Sequence, residues 1–177
     1  MTVRLRPFTA EDAAPAWEIE KRCFPDPWSE KGLAEGFGSP WQYALAAEKD
    51  GQLAGYLFAQ TAADEGELVN LAVSPDARRL GIGEVLLARM LRENEKVRLW
   101  RLDVRCGNAA ARRLYEKTGF RVVTRNKNYY TDPPEDGYLM MYLSEKGAAD
   151  HAGCLSCGDR RDDAAALPAS DRTAGAP

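Results

Sequence analysis

Every aromatic side chain of this 177-residue chain lies within its first 146 residues: four Trp, seven Tyr and five Phe. The remaining 31 residues hold nine Ala, four Gly, two Pro and five Asp, with only Leu155 and Leu167 as large apolar side chains. Such a stretch buries too little surface to offset the chain entropy that ordering costs. The asymmetry predicts one folded domain over residues 1–146, an ordinary domain size, and a disordered Ala/Gly/Asp-rich tail over residues 147–177.

Composition then removes whole classes of function. At 45% hydrophobic and 29% charged residues the chain reads as globular, and no apolar run approaches the roughly 20 residues that span a bilayer. Arg4, Arg6, Glu11 and Asp12 flank no apolar segment of the kind a signal peptide carries, so a cytoplasmic protein is expected. The first 146 residues carry 21 basic against 22 acidic side chains, and no basic stripe for nucleic acid. Four cysteines make no disulfide framework. His151, Cys154 and Cys157 form an H-x2-C-x2-C run, but a structural zinc site takes four ligands and a fold around them, so no metal is expected.

Within the body, short strands alternate with amphipathic helices. Val3 to Phe8 reads as a strand, and Thr9 with Asp12 three residues on resembles a cap before a helix from Ala13 to Cys23. Ser29 caps a second short helix ending near Gly36 or Gly38. Gln42–Glu48 and Gln52–Gln60 flank Asp50-Gly51, a dipeptide suited to a tight hairpin because both positions tolerate positive φ. Glu67–Val73 is a further strand. Leu86, Leu87, Met90 and Leu91 then recur at helical spacing, and Val97–Arg105 is extended, with Trp100, Leu102 and Val104 on a dry face. Asn108 opens a helix that Gly119 closes, followed by a strand over Phe120–Thr124, a polar loop and a last strand over Tyr138–Leu143.

The segment that carries chemistry is Arg78-Arg79-Leu80-Gly81-Ile82-Gly83, between a strand and a helix. Glycines at such a junction let backbone N–H groups approach an anion, the helix N-terminus adds partial positive charge, and two arginines supply cations. This suits a pyrophosphate. Leu86 stands where a dinucleotide fingerprint has its third glycine, and the Lys-Ser/Thr of a P-loop is missing. A turn that merely needs two glycines has the same local pattern.

Context decides between these. Asn70-Leu71-Ala72-Val73-Ser74-Pro75, the Arg78-x-x-Gly81-x-Gly83 loop, Asn108, and Leu114-Tyr115-Glu116-x-x-Gly119-Phe120 together resemble the GNAT superfamily of N-acetyltransferases. Phe24-Pro25-x-Pro27-Trp28-Ser29, Leu102-Asp103-Val104-Arg105-x-x-Asn108, Tyr129-Tyr130 and Glu135-Asp136 look like its RimI group, bacterial alanine N-acetyltransferases of a small-subunit ribosomal protein. The resemblance runs from about residue 3 to residue 143.

It implies an α/β fold: a mixed, twisted sheet of about seven strands flanked by helices and split between its two central strands. Acetyl-CoA would lie in the split. Leu71, Ala72 and Val73 would bond its pantetheine arm through their backbone, and Arg78, Arg79, Leu80, Gly81, Ile82, Gly83 and Glu84 would hold the pyrophosphate. Asn108 would contact the arm or serve only as a helix cap. The acceptor would be the N-terminal segment of a basic ribosomal protein, the enzyme a monomer or weak oligomer.

An α-amino group with a pKa of about 8 is mostly protonated at neutral pH, so a proton acceptor is useful. The RimI-like pattern places a glutamate where this chain has Asp103, shorter by about one C–C bond, roughly 1.5 Å, when direct transfer needs heavy atoms within about 3.2 Å. Pairing with Arg101 or Arg105 is the structural alternative for Asp103. Glu67 is the competing base, acting through water, and Tyr115 is the expected acid for the departing thiolate. Glu135, Asp136, Asp26 and Glu30 are candidate acidic contacts for a basic peptide, and Tyr129 with Tyr130 a wall that orders it. Rival readings are a lysine or small-amine acetyltransferase, or a non-catalytic acyl-CoA-binding module in a tRNA-modification assembly.

Overall fold

The computed structural model describes residues 3–35 and 42–144. Seven strands form one sheet in the order β1-β2-β3-β4-β5-β7-β6. They are β1 (Val3–Pro7), β2 (Gln42–Lys49), β3 (Gln52–Ala62), β4 (Glu65–Val73), β5 (Leu99–Arg105), β6 (Arg121–Thr131) and β7 (Pro134–Leu143). The helices are α1 (Ala13–Cys23), α2 (Glu30–Glu35), α3 (Ile82–Glu93) and α4 (Ala109–Lys117). All neighbouring strands run antiparallel except β4 and β5. No helix among the described residues is long and apolar enough to cross a membrane.

Local chemistry accounts for most of these elements. Asp50 and Gly51 both take positive φ, 52° and 80°, and close the β2–β3 hairpin as the dipeptide predicts. The Ser29 hydroxyl accepts the Gly32 N–H at 3.0 Å and starts α2. Gly119, at φ 102°, turns the chain from α4 into β6. The ends that the sequence placed near Gly36 or Gly38 for α2, at residue 146 for the domain, and the tail with its His151-Cys154-Cys157 run lie outside the described residues.

Two cores sandwich the sheet. On one face α3 and α4 bury Leu86, Leu87, Met90 and Tyr115 against Leu57, Trp100, Leu102 and Val104. On the other, α1 and α2 bury Ala16, Ile19 and Leu33 against Tyr56, Phe58 and Ala72. Because strand residues alternate faces, the buried set Trp100, Leu102 and Val104 turns Arg101, Asp103 and Arg105 toward the α1–α2 face.

The segment expected to be a polar loop before the last strand is a β-ribbon instead: β6 extends to Thr131 and pairs with β7 down to Pro134. β6 is an edge strand, exposed along nearly its whole length, so no apolar alternation marks it in the sequence. Cross-strand charges stabilise it. Asp136 accepts from Arg125 Nε at 2.9 Å and from the Asn128 N–H at 2.8 Å.

Candidate active site

The sheet opens between β4 and β5. Only Glu65, Gly66 and Glu67 pair with β5, opposite Leu99, Trp100 and Arg101. Directly beyond, the β3–β4 register slips: Ala59 faces Leu68 and Phe58 faces Asn70, leaving Val69 as an extra residue. Such a bulge bends its strand, and here the bend falls where β4 leaves β5. The stretch from Leu68 to Val73 thus presents an edge without a β5 partner to a V-shaped slot, as an added extended segment requires. Leu71 and Val73 turn their side chains into the core beside α3 while their backbones line that edge, and Ala72 is buried on the opposite face.

At the open end of the slot stands the N-terminus of α3. Its first helical hydrogen bond runs from the Val85 N–H to the Gly81 carbonyl at 3.0 Å, so the N–H groups of Ile82, Gly83 and Glu84 point out of the helix end. Gly81 caps it at φ 76°, and a Cβ there would meet nothing within 4 Å, so an anion can approach the backbone closely. Gly83 answers a different need: its Cβ would lie 2.8 Å from Leu114 Cδ2, and its absence lets α4 pack against α3. Arg78, Arg79 and Leu80 are exposed in front of the helix. The Glu84 carboxylate is drawn to Lys117 Nζ at 2.6 Å, which offsets its negative charge beside the cradle. These donors fit a pyrophosphate group.

The three candidate acid–base residues divide between the faces. Tyr115, on α4, is buried on the α3–α4 side, its ring 6.0 Å from that of Phe120. Glu67 and Asp103 lie on the α1–α2 side. Glu67 Oε2 accepts Gln60 Nε2 at 2.8 Å and lies 3.6 Å from Arg101 Nη2. These residues border an open depression of about 350 Å³ at the closed end of the slot. Asp103 Oδ2 accepts the Tyr129 hydroxyl at 3.0 Å. The arginines considered as its partners have other ones: Arg101 pairs with Glu67, and Arg105 with Glu135 and the carbonyls of Asp132 and Pro133.

Other expectations are redistributed. Asn108 Oδ1 accepts the Ala111 N–H at 3.1 Å, so it is a helix cap, with its amide nitrogen still available as a donor. Glu135 binds the Gly107 N–H and Arg105, and Asp136 is held by Arg125 and Asn128. Asp136 therefore spends its charge inside the β6–β7 ribbon, and Glu135 spends its own on the end of β5 and the turn that follows it. Tyr129 and Tyr130 pack edge to face at 5.1 Å, with the Arg105 guanidinium 4.2 Å from the Tyr130 ring centre. Among the described residues, no group of three or more His, Cys, Asp or Glu side chains is arranged to hold a metal ion.

Sequence reasoning passed over Glu20, buried on α1 and bonded to Tyr56, Asn70 and Trp28. The signal was present. Glu20 falls four residues after Ala16, on the stripe that α1 turns to the sheet.

The sequence profile of the acetyltransferase (GNAT) family matches residues 13–120. The chain belongs to that family. As a GNAT protein it is an N-acetyltransferase, and its sheet, split strands and flanking helices are those of the family fold. It is 40% identical over 134 residues to the [ribosomal protein bS18]-alanine N-acetyltransferase of Escherichia coli K12, covering 73% of this chain and 89% of the relative. The crystal structure of the ribosomal-protein-S18-alanine N-acetyltransferase from Escherichia coli superposes with a TM-score of 0.74 at 36% identity, over 80% of this chain and 94% of that one. Arabidopsis thaliana NAA60, in complex with acetyl-CoA, shares the fold at a TM-score of 0.71 and 23% identity, over 81% of this chain and all of that one.

Proposed function

We propose that this N-acetyltransferase acts in the cytoplasm on the N-terminal alanine of ribosomal protein bS18, using acetyl-CoA and transferring the acetyl group directly within a ternary complex. One observation carries the mechanism: a slot between β4 and β5 with carboxylates on one face and a buried phenol on the other. The likeness to the Escherichia coli bS18 enzyme supports the acceptor.

Acetyl-CoA supplies the acyl group as a thioester. In this reading the Leu71 and Val73 backbones hold the pantetheine arm along the open edge of β4, while Arg78, Arg79 and the N–H groups from Gly81 to Glu84 bind the pyrophosphate. The amine arrives from the α1–α2 face. Asp103 accepts its proton, and the Tyr129 hydroxyl orients the carboxylate; where an aspartate falls short of the amine, a water bridges the distance. A C–N bond forms as the C–S bond breaks, and Tyr115 gives its phenolic proton to the departing sulfur. Backbone N–H groups at the rim of β4 are placed to stabilise charge on the carbonyl oxygen. Tyr115 is buried on the α3–α4 side, so in this reading the sulfur meets it from that side of the slot while the amine comes from the other.

The test is steady-state kinetics with an Ala-starting bS18 peptide over a range of pH. Tyr115→Phe is expected to lower kcat about 100-fold, the usual scale of a lost general acid or base. Asp103→Asn should flatten the pH dependence of kcat/KM, and Glu67→Gln should leave it in place. If Glu67→Gln flattens it and Asp103→Asn does not, the base is Glu67 acting through water. Failure to acetylate the peptide while free lysine or a polyamine is acetylated would overturn the acceptor.

A further inference from the structure

Glu20 is 1% exposed, and it takes no part in the transfer described above. Its Oε1 accepts the Tyr56 hydroxyl of β3 and, at 2.7 Å, the Asn70 amide of β4. Its Oε2 accepts the backbone N–H of Trp28 at 2.9 Å. A carboxylate in such a site is costly unless its lone pairs are filled, and an apolar side chain of similar size would pack there with less penalty. The bonds, rather than the burial, explain why a glutamate occupies this position. Burial and the adjacent Glu20 push the Tyr56 phenol far above its ordinary range, so it stays a donor at any working pH.

The three donors come from places that matter to the slot. Asn70 is the first paired residue of β4 after the Val69 bulge, where the strand turns away from β5. Trp28 belongs to the segment joining α1 and α2, and its ring packs 6.1 Å from that of Phe58, the residue opposite Asn70. Half-buried Phe24 and Trp28 thus stand on the same face as Glu67 and Asp103, beside the rim of β4.

We propose that Glu20 is a positioning residue for the acceptor: it latches the segment Phe24–Ser29, through the Trp28 N–H, to the bulged strand, so that this segment walls the approach of the amine. The idea rests on the reading that the amine enters from the α1–α2 face. Glu20→Gln keeps an acceptor for Tyr56 or Asn70 but turns an NH2 group toward the Trp28 N–H. Tyr56→Phe removes a donor from the same cluster and leaves the Trp28 bond in place. A purely structural role for the cluster predicts that the two variants behave alike.

Two measurements on the full chain decide it: hydrogen exchange of the segment 24–29 by mass spectrometry, and KM for an Ala-starting basic peptide beside the dissociation constant for acetyl-CoA. Glu20→Gln is expected to speed exchange in that segment and to raise the peptide KM about tenfold, with acetyl-CoA binding changed less than about twofold. Tyr56→Phe is expected to lower the melting temperature while leaving segment exchange and peptide KM within about twofold of wild type. Should Glu20→Gln not fold, Glu20→Asp reads the same latch with the charge retained. Equal effects of the two variants on exchange or KM overturn the proposal, as does faster exchange with an unchanged KM. If the wild-type enzyme rejects the peptide, the proposed acceptor is wrong; KM is then measured on the amine it does accept, and the exchange comparison stands.

Discussion

Gly66→Ala is the substitution whose cost the structure states most directly. Gly66 lies opposite Trp100 in the three-residue pairing that joins β4 to β5. A Cβ at this position would sit 2.5 Å from both Cε3 and Cζ3 of the Trp100 indole and 2.9 Å from Cδ2. Carbon atoms pack best at about 3.5–4.0 Å, so the overlap is on the order of 1 Å against a rigid ring that is 1% exposed. Overpacking of this kind costs about 1–3 kcal/mol, and a ring that cannot swing aside belongs at the upper end. Replacing glycine returns about 0.5–1 kcal/mol through the unfolded chain, which leaves a net loss of about 2 kcal/mol. For a domain of this size that lowers the melting temperature by about 6–8 °C. Urea unfolding of Gly66→Ala, Trp100→Leu and the double variant measures it. Trp100→Leu alone leaves a cavity worth about 3 kcal/mol, but removes the atoms that the added methyl group would strike. The double variant should therefore be more stable than the sum of the two losses predicts, by about 1–2 kcal/mol. Strict additivity, or a loss below about 0.5 kcal/mol for Gly66→Ala, would refute the steric account of how the two strands are joined.

Two further outcomes follow from the same geometry. Asn108→Ala removes the α4 cap and should cost about 1 kcal/mol in urea unfolding, whereas Asn108→Asp keeps a capping oxygen and stability. If Asn108 also donates to the pantetheine arm, Asn108→Asp weakens acetyl-CoA binding several-fold by calorimetry at an unchanged melting temperature. For Asp12, burial pushes the carboxyl up, but its bonds to Arg6 and to the Thr9 N–H outweigh that and hold it below its ordinary value. Its contribution is therefore complete above about pH 4 and lost as pH falls through the lowered value. Asp12→Asn should flatten the acid limb of stability against pH, and an unchanged limb would show that other carboxylates set it.

Much of the architecture is legible residue by residue. Asp50-Gly51, the Ser29 and Asn108 caps, Gly81 and Gly119 each encode a turn or a helix end through their own dihedral freedom or a hydrogen bond a few residues away. Spacing alone also separates the dry face of β5 from the one that carries Asp103. The far part of the β6–β7 ribbon, beyond the strands read over 120–124 and 138–143, escaped such reading because β6 is exposed along nearly its whole length, and a period of two shows in a sequence only where one face is buried. Glu135 and Asp136, legible as free acid for a basic peptide, are engaged by Arg105, Gly107, Arg125 and Asn128, partners set by strand register.

The sequence by itself thus determined most of the strands and helices, where the glycine-containing loop before α3 lies, and which face of β5 is polar, since all of these depend on local preference and periodicity. Only the tertiary structure decided that β4 bulges at Val69 just beyond its short pairing with β5, that Tyr115 and Asp103 lie on opposite sides of the sheet, that Tyr129 reaches Asp103, and that Glu20 is buried among Tyr56, Asn70 and Trp28. The physical reason is one of range: a dihedral preference acts within a few residues, whereas a side chain's partner across a sheet is chosen by the pairing of segments far apart in the chain.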